Sequence, residues 1–247
     1  MIKPDLKLVH KEDVPAEDDS RLQDRGSVMS LSLDAIRIAL GGKRLLELSC
    51  TIEPGEIVTI MGPSGSGKST LLAYIGGFLA PEFEASGRVL FHGEDVTERR
   101  AELRHIGILF QDPLLFPHMS VGGNLAFGLT SSVKGRQARS AKVNEALKDI
   151  DLENFAARDP ATLSGGQKAR VALARVLLSE PCALLLDEPF SKLDAGLRDQ
   201  MRKHVFDRAR LNGLPTLLVT HDEEDANAAG GRIIRLDEPS THSPISA

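Results

Sequence analysis

Gly62, Pro63, Ser64, Gly65, Ser66, Gly67, Lys68, Ser69 and Thr70 follow the pattern G-x-x-x-x-G-K-[ST] without a mismatch. Glycines at these spacings let the backbone approach an anion and adopt positive φ, which side chains oppose. A helix beginning at Lys68 would turn its unpaired N–H groups and its dipole toward the same anion. Lys68 could then reach the β- and γ-phosphates of a nucleotide, and the Ser69 hydroxyl could take a Mg²⁺ position. The chemistry of this stretch is binding of a phosphate chain.

A second group sits far along the chain. The apolar run Ala183-Leu184-Leu185-Leu186 ends in Asp187 and Glu188. In an open parallel sheet, ligands bind beyond the carboxyl ends of the strands. Asp187 is therefore expected beside the phosphate loop, holding Mg²⁺ through water, and Glu188 as general base or orienter for an attacking water. A third group, Ser164, Gly165, Gly166 and Gln167, precedes the apolar-periodic stretch from Lys168 to Leu178 and offers another helix start to an anion. Two anion-ready helix starts share one pair of carboxylates. The second start is expected to complete the site of another copy.

Positioning these groups needs strands that end together. Ile57 to Met61 is a short apolar run and reads as a buried strand, followed by helical spacing at Leu71, Leu72 and Ile75. Leu31 to Ile38 and Leu45 to Ile52 read as two strands around the Gly41-Gly42 turn, and Glu53 to Glu56 as a tight turn. Further strands are predicted over Gly87 to Phe91, Ile106 to Phe110, Cys182 to Leu186, Thr216 to Val219 and Ile233-Ile234. Helices are predicted over Gly165 to Leu178 and Ala195 to Leu211, with a short one after His221. Between Pro113 and Pro160 no strand pattern occurs and helical stretches such as Ala138 to Ile150 do, which reads as a helical insertion. Strands alternating with helices predict a parallel sheet covered on both faces.

The 247 residues carry a net charge of −5, which points away from a nucleic-acid backbone as partner. The two cysteines, Cys50 and Cys182, lie far apart in apolar segments and read as buried reduced thiols of a cytosolic protein. No apolar run approaches the roughly 20 residues of a membrane span, and the N-terminal residues show no signal-peptide core. Residues 1–28 contain Lys11-Glu12-Asp13, Glu17-Asp18-Asp19 and two prolines with almost no apolar periodicity, which predicts a disordered extension ahead of Met29; residues 238–247 read as a tail.

Taken together, these motifs resemble the ABC-type transport ATPases over about residues 30 to 237. Residues 62–69 look like Walker A, and 182–187 like Walker B with Glu188 following. Ser164-Gly165-Gly166-Gln167 is similar to the family signature. Gln111 resembles the Q-loop glutamine that touches Mg²⁺ and water. Ser191-Lys192-Leu193-Asp194 matches the D-loop pattern S-x-L-D, which implies a nucleotide-facing role for Asp194. His221 resembles the switch histidine that senses the γ-phosphate. The resemblance implies an α/β P-loop NTPase fold, with a mostly parallel sheet flanked by helices and an antiparallel β part. It implies an ATPase domain over 29–237 with a helical subdomain inserted at about 112–164, ATP and Mg²⁺ as cofactors, and a head-to-tail dimer with ATP sandwiched between copies.

Within the family, the run from Gln111 to Val121 is similar to bacterial importers with separate permease and ATPase chains. Asp159-Pro160-Ala161-Thr162 and Leu197-Arg198-Asp199 resemble the Ynj-type, thiamine-like importer ATPases. That likeness implies permease subunits docked near Leu114 to Val121, a periplasmic binding protein in the same system, and a peripheral place on the cytoplasmic face of the inner membrane. Leu115, Phe116 and Met119 are expected to be the exposed docking residues, and Leu114 a core residue. Two features depart from the pattern. After the last strand about ten residues remain in this sequence, so a C-terminal regulatory domain like that of sugar importers is not expected. No aromatic residue precedes Tyr74, so only aliphatic groups such as Leu40 or Leu45 are expected against the base. Two other readings remain open at this point. One is a soluble, non-transport ABC ATPase. The other is the ATPase of an exporter or lipoprotein-release system.

Overall fold

The computed structural model describes residues 30–236; the expectations for residues 1–28 and 238–247 lie outside the described residues. Two sheets and six α-helices build it. Strands β1 (Leu31–Leu40) and β2 (Lys43–Ile52) pair antiparallel around Gly41 and Gly42, whose φ values of +55° and +74° suit a tight turn. Along β1 the buried positions run Leu31 and Leu33, then Ile36 and Ile38. The change of phase falls at a bulge between Leu33 and Ile36, where Ala35 has a φ of 51°. Strands β4 (Phe83–Phe91) and β5 (Glu94–Asp95) complete this sheet in the order β2-β1-β4-β5.

The second sheet is parallel, in the order β6-β7-β8-β3-β9, with β3 Ile57–Met61, β6 Ile106–Leu109, β7 Ala183–Asp187, β8 Thr216–Thr220 and β9 Ile233–Arg235. Every residue of β3 and β8 is buried, as required of strands covered on both faces. One face packs α1 (Lys68–Gly76) and the antiparallel sheet, joining Ile60, Leu71, Ile75, Leu185 and Val219 to Ile36 and Ile38. The other face packs α4 (Gly165–Leu178) and α5 (Ala195–Leu211), through Leu186 and Leu218 against Leu173, Phe190 and Phe206. The short helix α6 (Glu223–Ala229) follows β8. Arg104 is buried at the far end of α1, donating to the last-turn carbonyls of Tyr74 (2.9 Å) and Ile75 (2.7 Å).

Between β6 and α4 lies a helical subdomain with α2 (Val121–Gly128), α3 (Arg136–Asp149) and a 3₁₀ turn at Pro160–Thr162. Its core collects Val121, Leu125, Leu147, Ile150 and Leu152 with Val171 and Ala174 of α4. Helix α4 therefore serves two cores, its Val171 and Ala174 face in one and its Ala172 and Leu173 face in the other. The small residues beside Leu and Val let it pack on both sides.

Several sequence expectations are corrected. Leu114 is not core: it is 57% exposed at a φ of 44°, and its neighbour Leu115 packs inward instead. Phe116 and Met119 are half-buried, and the exposed ring nearby is Phe127, 63% exposed on α2. Strand β4 begins at Phe83 rather than Gly87, because pairing with β1 runs through Leu40↔Phe83. Strand β6 stops at Leu109, whose pairing with Leu186 is the last between β6 and β7. Cys50 and Cys182 are free thiols but only half-buried; burial still pushes the Cys50 thiol up to about 11. Among the described residues, no helix is long and apolar enough to cross a membrane.

Candidate functional site

Strand register brings the site together. In the parallel sheet Met61 pairs with Thr220, Asp187 with Val219, and Leu109 with Leu186. Each strand then releases its next residues at one edge: the phosphate loop from Gly62, Glu188 after Asp187, His221 after Thr220, and Gln111 two positions beyond Leu109. Residues separated by more than a hundred positions in sequence become neighbours through this alignment alone.

The phosphate loop has the geometry of an anion cradle. Gly65 and Gly67 have φ values of +83° and +86°. A methyl group on Gly65 would meet nothing within 4 Å, whereas one on Gly67 would lie 3.0 Å from Leu46 and 3.4 Å from Leu45. Gly67 is the N-cap of α1, offers no side chain to the first-turn amides, and no acidic residue neutralises that turn. The helix start therefore keeps its donors and its positive end for an outside anion. The Ser66 hydroxyl is buried in the loop without a partner among the described residues. Lys68 is buried, with Nζ donating to the Gly62 carbonyl (2.8 Å) and the Pro63 carbonyl (2.7 Å), so its charge sits at the loop itself. Pro63 and Ser64 are exposed at the loop's outer rim, and Thr70 is half-buried in the first turn. Residues of this kind fit a phosphate chain.

Asp187 is half-buried beside that loop. Burial raises its carboxyl above the ordinary range, opposed by a hydrogen bond from Ser69 and by the charge of Lys68, while Glu188 pushes further up. A desolvated carboxylate sharing a hydroxyl partner is a group that a hard cation would stabilise.

Glu188 is the meeting point of the other predicted residues. Its φ of 45° is left-handed, and its N–H donates to the Val219 carbonyl at 2.9 Å. The carboxylate lies 2.9 Å from His221 Nδ1 through Oε1, and accepts a long 3.4 Å bond from Gln111 Nε2 through Oε2. The tautomer with its proton on Nδ1 would donate to this carboxylate and leave Nε2 unprotonated. The Ser191 hydroxyl holds the Glu188 carbonyl from behind at 2.9 Å.

The signature residues stand apart. Ser164 caps α4 in a capping box: Gln167 N–H donates to Ser164 Oγ at 3.2 Å, and Ser164 N–H donates to Gln167 Oε1 at 3.0 Å. A methyl on Gly165 would meet nothing within 4 Å, while one on Gly166 would press Leu197 at 2.9 Å and Leu193 at 3.4 Å. Gly165 is thus open and Gly166 is packing space for the loop over 191–194. Among the described residues, no hydrogen bond or ion pair joins Ser164, Gly165, Gly166 or Gln167 to the phosphate loop. Asp194, expected to face nucleotide, uses its carboxylate as the N-cap of α5, accepting from Leu197 N–H at 3.1 Å.

Some contacts carried no sequence signal. Lys192 pairs with Asp112, tying the 191–194 loop to the residue after Gln111. Arg175 of α4 donates to the carbonyls of Leu114 (3.0 Å) and Pro113 (3.3 Å), with its guanidinium 5.2 Å from the Phe116 ring centre. Phe116 in turn meets Phe127 edge-on at 4.7 Å. A lone arginine in an amphipathic helix gives no hint of such partners.

Comparison with known proteins follows the same lines. The family profile described as "ABC transporter" matches residues 45–191. The chain is 48% identical over 199 residues to the ABC transporter ATP-binding protein YnjD of Escherichia coli (strain K12), covering 80% of this chain and 91% of that protein. It is 47% identical over 193 residues to the Fe(3+) ions import ATP-binding protein FbpC of Agrobacterium fabrum, covering 78% of this chain. The aligned part is only 54% of FbpC, so the chain spans about half of that relative's length. Among solved structures, the post-hydrolysis dimer of the ATP-binding cassette MJ0796 bound to ADP and Pi superposes with a TM-score of 0.73 at 32% identity. That superposition covers 83% of this chain and 94% of the cassette.

Proposed function

The chain belongs to the ABC transporter family of ATP-binding proteins, and from that premise we propose that its ATP hydrolysis drives import through a separate membrane permease. The observation that carries the mechanism is the convergence of Gln111 and His221 on Glu188 at the phosphate-loop edge. Loop amides and Lys68 would hold the β- and γ-phosphates, because charge-assisted hydrogen bonds from an undercapped helix start favour a polyanion. A Mg²⁺ ion bound with the nucleotide would be held by Ser69, Gln111 and Asp187, and would neutralise charge on the transferred phosphoryl group. Glu188 would take the proton of the attacking water, Gln111 would orient that water, and His221 would present Nε2 to the γ-phosphate while Nδ1 stays on Glu188.

The open start of α4, joined by no hydrogen bond or ion pair to its own phosphate loop among the described residues, supports a head-to-tail pair. Ser164, Gly165, Gly166 and Gln167 of one copy would close over the nucleotide of the other, with Asp194 setting the neighbouring loop by capping α5. The names of the relatives favour import, and the half-exposed surface around Leu114, Phe116 and Phe127 is where permease subunits would dock. The protein would then lie peripherally on the cytoplasmic face of the inner membrane, served by a periplasmic binding protein. Glu188→Gln tests the core of this reading. It should retain ATP binding, lose hydrolysis, and form an ATP-dependent dimer visible by light scattering. A protein that stays monomeric at saturating ATP and Mg²⁺ argues against the sandwich, and a Lys68→Ala protein with wild-type turnover argues against the phosphate loop.

A further inference from the structure

The residue that joins the 191–194 loop to the turn bearing His221 is Arg198, on the first turns of α5. Its Nη2 donates to the Leu193 carbonyl at 3.1 Å, inside that loop. Its Nη1 donates to Asp222 Oδ2 at 3.1 Å, on the residue next to His221. Both members of the ion pair are about a quarter exposed, with side-chain accessibilities of 27% each, so water screens the pair only in part. One planar guanidinium therefore spans two loops in a fixed fork geometry, which a flexible ammonium cannot reproduce.

The turn it grips is held from below. Arg202, one helical turn further along α5, is buried and donates through Nε to Asp225 Oδ1 at 2.6 Å. Asp225 Oδ2 accepts from Thr220 Oγ1 at 3.0 Å, and Thr220 Oγ1 accepts from the Asp222 N–H at 3.1 Å. The residues on both sides of His221 are thereby tied into one network with α5. His221 itself has an exposed side chain whose polar partner among the described residues is Glu188. With Glu188 as its polar partner, the ring keeps that bond only while its backbone holds Cα and Cβ within reach, so the groups that hold the backbone help to place the ring.

We propose that Arg198, acting with Asp222, is a positioning residue that sets the His221 ring against Glu188 from the 191–194 loop. The inference rests on the hydrolytic reading above, in which His221 and Glu188 act on nucleotide. Arg202 and Asp225 serve as the buried anchor of the same turn. A guanidinium gripping the 191–194 loop at one end makes the placement of His221 depend on where that loop sits.

Steady-state ATPase assays on the full chain test this. Arg198→Ala should lower kcat about tenfold with the KM for ATP unchanged within about twofold. Asp222→Asn, which can still cap α6, should do the same, and the double variant should be no slower than the slower single one. Arg198→Lys should fall between wild type and Arg198→Ala. In a His221→Ala background, neither substitution should lower the remaining rate further. Thermal melts on each variant separate positioning from unfolding, and Arg198→Lys carries the test if Arg198→Ala does not fold. Wild-type kcat in Arg198→Ala overturns the inference. So does a further multiplicative loss on top of His221→Ala, or a joint change of kcat and KM that tracks a lowered melting temperature. If His221→Ala itself hydrolyses ATP like wild type, the assignment of the switch residue fails first and takes this inference with it.

Discussion

Gly165→Ala separates what a residue does in its own chain from what it does for a partner. Gly165 is the first residue of α4, its φ lies outside the left-handed region, and a methyl there meets nothing within 4 Å. Replacing glycine by alanine at a compatible position stabilises by about 0.4–1 kcal/mol, chiefly by restricting the unfolded chain. For a domain of this size that is a rise in melting temperature of about 1–4 °C. Catalysis should move the other way. If a phosphate from a second copy's nucleotide approaches the first-turn amides of α4, the methyl stands in its path and at least one charge-assisted hydrogen bond is lost. Such bonds contribute about 1.5–3 kcal/mol, which corresponds to a loss of roughly ten- to hundredfold in kcat/KM. Gly166→Ala is the contrasting substitution. Its methyl would press Leu197 at 2.9 Å within the same chain, and such overpacking costs about 1–3 kcal/mol. Differential scanning calorimetry and steady-state hydrolysis on the two variants give the four numbers needed. The same Gly165→Ala change in a Glu188→Gln background should also abolish the ATP-dependent dimer. A Gly165→Ala protein that is more stable and as active as wild type would mean that nothing approaches the start of α4, and the sandwich would have to be given up.

Asp187→Asn should raise the melting temperature while abolishing hydrolysis, because it removes a carboxylate whose ionised form burial disfavours. The folded carboxyl titrates above its unfolded value, so its penalty is fully present above that raised pKa and fades as pH falls through it. The gain from the substitution should accordingly be largest near neutral pH and shrink in acid, as melting curves across pH would show. Base selectivity should be weak: Leu45 and Leu46 flank Gly67 and Leu40 is exposed nearby in sequence, all aliphatic. GTP should support hydrolysis within about tenfold of ATP, a difference under about 1.4 kcal/mol, and Leu40→Tyr should tighten ATP binding by up to about 1–3 kcal/mol through stacking; a preference beyond a hundredfold in kcat/KM would refute the first expectation. Leu114→Asp and Phe127→Asp, at exposed positions, should leave basal ATPase activity within about twofold and abolish permease-stimulated activity in reconstituted vesicles; equal loss of both activities would mean the patch is structural.

The sequence carried most of the parallel sheet because its strands are short, apolar and followed at once by polar chemistry. Ile57–Met61 and its loop, and the helices from Gly165 and Ala195, begin in the structure where their glycines and capping residues place them. Gln111, Glu188 and His221 were legible as single residues, but their convergence was not, because it depends on register between strands that are distant in the chain. The region from Gln111 to Val121 is not legible residue by residue. Apolar residues in a row give no period there, so nothing distinguished Leu115, which turns inward, from Leu114, which a left-handed backbone turns out. The start of β4 is hidden for a related reason: Glu84, Ala85 and Gly87 are poor strand formers, and pairing with β1 overrides them. Ion pairs such as Arg198–Asp222 and Lys192–Asp112 lie beyond any sequence pattern, since charged residues are common and partners are chosen by the fold.

Helix α4 belongs to two cores at once, and that limits how the helical subdomain can move. Val171 and Ala174 are set among the residues of α2 and α3, whereas Ala172 and Leu173 are set among those of the parallel sheet. A swing of the subdomain that left α4 behind would strip one row of contacts, and a swing that carried α4 along would strip the other. Displacements of a fraction of a side chain, of the kind packed helices make when they slide, avoid both losses. The same helix bears Gly165 at one end and, through Arg175, grips the carbonyls of Pro113 and Leu114. One helix thus links the surface around Leu114 to the open start of α4, so a load on the first has a packed route to the second.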